Sequence, residues 1–327
     1  MDILNPRSLR EAARRALARG RDPKKLIYSY SLIILVLSLL VTLADLWLEN
    51  RISGTGGLSN LGTRAIFSTV QAVLPILLSG LAMCLEFGYL SGMMRIARGQ
   101  YADHTDLKVG LQKIGPLLRL FLLEALICLV LGFVAAQLAG VILAMTPWAE
   151  PVIEVIQIMN TTDPATLTEA EALSMLMQLV PLYVIAGIVY LIILIPMLYK
   201  LRLAKFCLLD DPSGRALAAI RTSSKLMRHR VLAFLKIDLS QWLYYAANVV
   251  MTVLLFLDLI LMILGIPLPM DARTFSLAVY GAALVVQFGI QVTLRNKLEA
   301  VYLTAYDRLR DKPSEGGPVV LGNIFDM

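Results

Sequence analysis

Five polar residues recur at helical spacing inside one apolar run: Asp238, Gln241, Tyr245, Asn248 and Thr252. They fall on one face of a helix. A second run offers Tyr280, Gln287, Gln291 and Arg295 on a comparable face, and Glu86 and Glu124 place two more carboxylates in apolar surroundings. Ionisable groups in such runs turn toward protein or water rather than lipid. Two chemistries follow. The stripes line a polar cavity for a substrate, an ion or a headgroup, or they are helix-packing groups joined by hydrogen bonds worth roughly 0.6–2 kcal/mol each. With the two runs antiparallel, Asp238 and Arg295 fall at similar depth near the cytosol; if they pair, the double swap should fold better than either single change. Glu86 and Glu124 read either as a relay or as partners of Arg119 or another basic residue.

Nothing beside these carboxylates supports acid–base or metal chemistry. Cys84, Cys128 and Cys207 lack disulfide or metal spacing, and His104 and His229 are far apart. No P-loop, G-x-S-x-G, H-E-x-x-H or C-x-x-C occurs. The expectation is a non-enzymatic protein with no metal and no cofactor.

The basic residues are as patterned as the acidic ones. In SLREAARRALARG, Ser8 and Glu11 fit a capping box and Gly20 fits a stop. Leu9, Ala13 and Ala16 or Leu17 share one face, and Arg10, Arg14, Arg15 and Arg19 make the rest cationic. Such a helix lies apolar side down on an anionic leaflet, or serves only as a soluble positive anchor. Downstream, Leu217, Ile220, Ser224, Met227 and Val231 share a helical face, with Arg221, Lys225 and Arg228 beside it and Arg215 ahead of it. This stretch docks lipid headgroups or a partner, or else sets the angle of the following span.

The elements that must position these groups are membrane helices. Of 327 residues, 58% are hydrophobic and only 17% charged, with a mean hydropathy of +0.72. Soluble domains carry about a quarter charged. Apolar runs of membrane-spanning length without period-two alternation mean helices rather than a barrel. The fold class is all-α: a polytopic membrane protein of six transmembrane helices, with interfacial amphipathic helices on the cytosolic side. The predicted spans are 26–48, 65–93, 117–145, 181–199, 231–264 and 275–294, one domain over 1–312, with a flexible tail at 313–327. Alternating them from a cytosolic N-terminus leaves only Arg51, Arg64 and Arg273 of the 30 Lys and Arg on the far side. The positive-inside bias therefore sets both termini in the cytosol. A pI near 9.2 reads as this bias, not as nucleic-acid binding. The long basic region and apolar run at the start, without a small-residue cleavage site, argue against a signal peptide.

Finer expectations accompany the spans. Pro75 should kink or open the second. Gly132, Ala136 and Gly140 have the small-xxx-small spacing that lets helices approach. Segment 147–180 is an acidic far-side loop resting on the bundle or the membrane, with Thr166 and Glu169 capping a short helix. A basic helix before spans one, three and five suggests a three-fold repeat, or the positive-inside rule acting alone.

The stretch IPMLYKLRLAKFCLLDDPSGRALAAIRTSSKLMRHRVLAFLKIDLSQWLYY resembles a family of uncharacterised bacterial integral membrane proteins, domain of unknown function 975. The matching residues are Ile195, Pro196, Asp210, Pro212, Ala219, Ile220, Ser223 or Ser224, Met227, Phe234, Leu239, Ser240 and Trp242. The basic N-terminal helix and VYLTAYDRL with Tyr306 look like the family's two ends. Arg228 stands where the family usually has Gly, Trp242 sits closer to Ser240 than usual, and the Trp-and-Pro-Tyr end of span five appears as ILGIPLP, so the chain reads as a divergent member. The resemblance implies the bacterial cytoplasmic membrane and a multi-pass fold, but no reaction.

The functional expectation is a structural or accessory membrane protein whose basic cytosolic face engages the lipid bilayer through anionic headgroups, or a membrane-protein partner. The alternative is a transporter or channel-like protein with a polar pathway between spans five and six.

Overall fold

The computed structural model describes residues 4–19, 23–54, 61–161, 169–211, 214–257, 260–261, 264, 266 and 271–311. Gly20, the Thr166 cap and the tail at 313–327 lie outside them. All regular structure among the described residues is helical, and five helices there are long and apolar enough to cross a membrane: Lys24–Ala44, Val73–Ala97, Ile114–Ala144, Met177–Asp210 and Thr274–Asp311. The chain divides into two compact units, one formed by residues 1–117 and 232–327, the other by 118–231.

In the first unit, α1 (Pro6–Arg19) begins two residues before the predicted start. Pro6 takes the first helical position, where its missing N–H costs nothing. The Asn5 side chain, not the expected Ser8–Glu11 box, supplies the cap: Asn5 Oδ1 accepts the Arg7 amide at 3.0 Å. Ser8 is instead turned to the closing helix, where its hydroxyl accepts from Arg308 Nη1 at 3.0 Å. The apolar face of α1 is turned the same way. Leu9 and Ala13 are buried at 0% and 2% exposure, so this face packs on protein and not on a leaflet.

Helix α2 (Pro23–Gly54) packs along α3 (Leu61–Ala97), which runs unbroken through Pro75. The stacked rings of Tyr30 and Tyr89, with centroids 4.5 Å apart, join them. After α3 the chain folds back through a 3-10 turn at His104–Leu107 into α4 (Lys108–Gln112). Asp103 caps the turn by accepting the His104 amide at 2.7 Å, which holds its carboxyl below the usual carboxylate range. Asp106 closes the box on the Asp103 amide at 2.9 Å and pairs with Arg95 at 2.7 Å. Two glycines permit the fold-back. A Cβ on Gly88 would sit 2.3 Å from the Leu107 carbonyl oxygen, and one on Gly110 would sit 1.7 Å from that of Cys84.

The expected fifth span is two helices. Helix α10 (Val231–Ser240) ends where Gln241 leaves helical geometry at φ −107°, ψ 27°, and α11 (Trp242–Leu255) resumes beyond it. The Ser240 hydroxyl donates to the Ile237 carbonyl at 2.6 Å and the Gln241 amide to that of Asp238 at 2.8 Å. Both tighten the last turn of α10. At 14 residues, α11 is about 21 Å long, short of a ~30 Å hydrocarbon core. The expected sixth span does appear as one long helical rod. Its parts are α12 (Ala272–Ile290), a π turn over Gln291–Arg295, and α13 (Asn296–Asp311).

In the second unit, α5 (Ile114–Ala144) and α7 (Glu169–Leu201) are the long helices. The segment between them is partly helical: α6 (Ala149–Thr161) buries Val152 and Val155 with Leu143 and Leu179, while Glu150 and Glu154 stay exposed. Of the small-residue series on α5, a Cβ on Gly132 would meet the Tyr190 ring at 3.6 Å, but one on Gly140 would meet nothing within 4 Å. Ala135 and Ala139 are the buried pair, one position around the helix from the expected face. Helix α8 (Ala204–Asp210) and α9 (Ala216–Met227) close the unit.

Candidate functional site

Arg295 sits in the π turn, where the extra residue per turn re-aims side chains. Its side chain is only 13% exposed. Nη2 lies 3.2 Å from Glu86 Oε1 of α3, and Nη1 donates to Tyr30 of α2 at 3.1 Å and to Gln291 at 3.0 Å. Nε is 4.0 Å from Glu299 of α13. The guanidinium also lies over the Tyr30 and Tyr89 rings, 5.4 and 5.9 Å from their centroids. One cation thus ties α2, α3 and the α12–α13 rod. A charge in a helix apolar enough to cross a membrane needs such a set of partners. Among the described residues, the buried hydroxyls of Tyr89 and Ser31 have no hydrogen-bond partner.

Asp238 anchors a second node. Its carboxylate accepts the phenol of Tyr245 at 2.6 Å and that of Tyr302 from α13. Phe234 and Tyr302 stack beside it, 5.8 Å between centroids. Asp238 and Arg295, placed at similar depth by their spacing, belong to two separate arrangements, Arg295 with Glu86 and Asp238 with two phenols. Sequence spacing sets depth along a helix but not rotation about it. The π turn alters that rotation for Arg295.

The other stripe residues look inward to their own helices. Asn248 donates to the Tyr244 carbonyl at 2.8 Å and Thr252 to that of Asn248 at 2.9 Å. Gln287 is half-buried on α12, and Glu124 is half-buried on α5 in the second unit. In that unit Arg221, Lys225 and Arg228 are exposed along α9, and Arg215 stands at its start. The buried face of α9 is Ala216, Ala219, Ile220, Ser223 and Met227, held by Ser223 donating to the Lys200 carbonyl at 2.6 Å. Leu217, expected on that face, is half exposed.

A third arrangement joins residues that the sequence left unrelated. A groove of about 700 Å³ runs between α1, the α10–α11 turn and the start of α13. Arg7, Arg10 and Arg14 line its α1 wall and Lys297 faces them. Arg10 Nη1 reaches the Ser240 carbonyl at 3.4 Å. Glu11 is the one carboxylate in the lining, and it lies 3.8 Å from Arg15. The floor includes Leu17, Leu243, Leu294 and Val301, and Trp242 stands 66% exposed at the turn. Arg10, Arg14 and Gln241 were expected functional residues. Trp242 enters the sequence reading only through the family resemblance, and Arg7 and Lys297 do not enter it, because nothing along the chain links residue 7 to residue 297. The i, i+3, i+7 spacing of Arg7, Arg10 and Arg14 is the signal that could have found the row.

Comparison with protein-family models, with curated proteins and with solved structures yields no match for this chain. The reading of the groove therefore rests on its own chemistry.

Proposed function

We propose that this protein is a non-enzymatic, accessory membrane protein that holds anionic lipid headgroups on its basic face, in the membrane of a bacterial cell with both termini cytosolic. The observation that carries this reading is the groove. It sets three arginines and one lysine beside an apolar floor, with an exposed Trp at its edge. That is the composition of an interfacial headgroup site. Phosphate oxygens would accept from the guanidinium groups, and acyl carbons would lie on Leu243 and Leu294.

The transport alternative asks for polar groups facing open space along α11 and α12. Asn248 and Thr252 instead bond their own backbone, and Tyr245 bonds Asp238. This favours packing over passage. The test is purification in native lipid followed by mass spectrometry of the retained lipids. Anionic phospholipid should be enriched over its membrane abundance, and the R10Q/R14Q double variant should lose the enrichment. Retention of lipid in bulk proportions by the native protein would overturn the reading.

A further inference from the structure

The groove differs from an ordinary basic surface in the layout of its charge. Arg7, Arg10 and Arg14 sit on one face of α1, the outer two seven positions apart, about 10 Å along the axis. Lys297 stands across the groove from them, on the first turn of α13. Among the described residues, Arg7, Arg14 and Lys297 have no ion-pair partner, and Arg10 meets only a backbone carbonyl. The three arginines thus form an elongated row with the lysine opposite, against one carboxylate. A single phosphodiester would engage one end of that row and leave the rest unneutralised. Two phosphates carried on one molecule would meet both ends. Guanidinium groups suit this task because each can grip a phosphate in a bidentate fork. The apolar floor beside the row places the molecule in a bilayer and not in solution.

Resting on the anionic-lipid reading, we propose that the groove is selective for a lipid bearing two phosphates bridged by glycerol, a cardiolipin. One phosphate meets Arg7 and Arg10, and the other meets Arg14 and Lys297. The acyl chains leave over Leu243 and Leu294 past Trp242. Because α1 and α13 form opposite walls, the bound lipid also bridges the first and last described helices of the chain.

The experiment places the full-length protein in phosphatidylcholine nanodiscs. These are doped with cardiolipin, or with phosphatidylglycerol at twice the mole fraction so that headgroup charge is equal. Retained lipid is read by native mass spectrometry. The expected result is preferential retention of cardiolipin, about five-fold lower for each of R14Q and K297Q. The R221Q/K225Q variant, altered on α9 only, should retain cardiolipin like the native protein. Arg14 and Lys297 are exposed, so both variants should elute as the native protein does on size exclusion. Equal retention of the two lipids, lost in R14Q, would overturn the two-phosphate inference and leave the anionic-lipid reading intact. A loss in R221Q/K225Q matching that in R14Q would overturn the assignment to this groove. Absence of any preference over phosphatidylcholine would overturn both readings.

Discussion

Arg295 concentrates more of the unit's polar chemistry than any stripe position taken alone. It touches groups from α2, α3, the π turn and α13, and its nearest carboxylate is Glu86 at 3.2 Å. Removing one partner of a poorly solvated pair leaves the other charge uncompensated. Arg295→Met should therefore destabilise by about 2–4 kcal/mol, and E86Q by less, because Glu86 is 29% exposed. In the double variant part of the loss should return. Thermal unfolding in detergent measures all three, and simple additivity would show that the pair is not coupled. The pattern of polar residues showed that Arg295 and Glu86 needed protein partners. It does not show which partners: Glu86 fits a relay, Arg119 or another basic residue, and Arg295 stands at the depth of Asp238. A residue's partner depends on helix rotation, and a single π turn is enough to change it.

At the scale of elements, short-range chemistry decides where helices stop, and close contacts decide where they touch. Ser240 and Gln241 divide the predicted fifth span, although apolar residues continue on both sides of them. The break creates the turn that walls the groove. Gly88 and Gly110 act in the opposite sense, by letting α3 and the fold-back after it approach to backbone contact. Gly110→Ala should cost at least about 1–3 kcal/mol, because its Cβ would overlap the Cys84 carbonyl and neither backbone can yield freely. Gly140→Ala on α5 is the control, since its Cβ would meet nothing within 4 Å. Fluorescence-detected size exclusion after a heating series compares the two. Equal midpoints would remove the steric argument.

For the molecule, the feature with most consequence is the closure of the first unit by both ends of the described chain. Helix α1 lies against α13, burying Leu9 and Ala13, and Arg308 holds Ser8. Leu9→Ala should destabilise by about 2–4 kcal/mol, the usual range for a fully buried leucine. A helix resting on lipid alone would tolerate the change. Unfolding midpoints in lipid nanodiscs separate the two cases. The sequence by itself determined the helical class, the places of the long apolar helices, and which polar groups had to be sheltered. These follow from sums along the chain, of hydropathy over membrane length and of charge between spans. Only the tertiary structure decided that α1 covers protein, that Asp238 takes two phenols, and that Arg7, Arg10 and Arg14 face Lys297. Those are relations between residues up to 300 positions apart. They depend on how each helix is rotated about its axis and on how closely its neighbour lies, which no local pattern encodes.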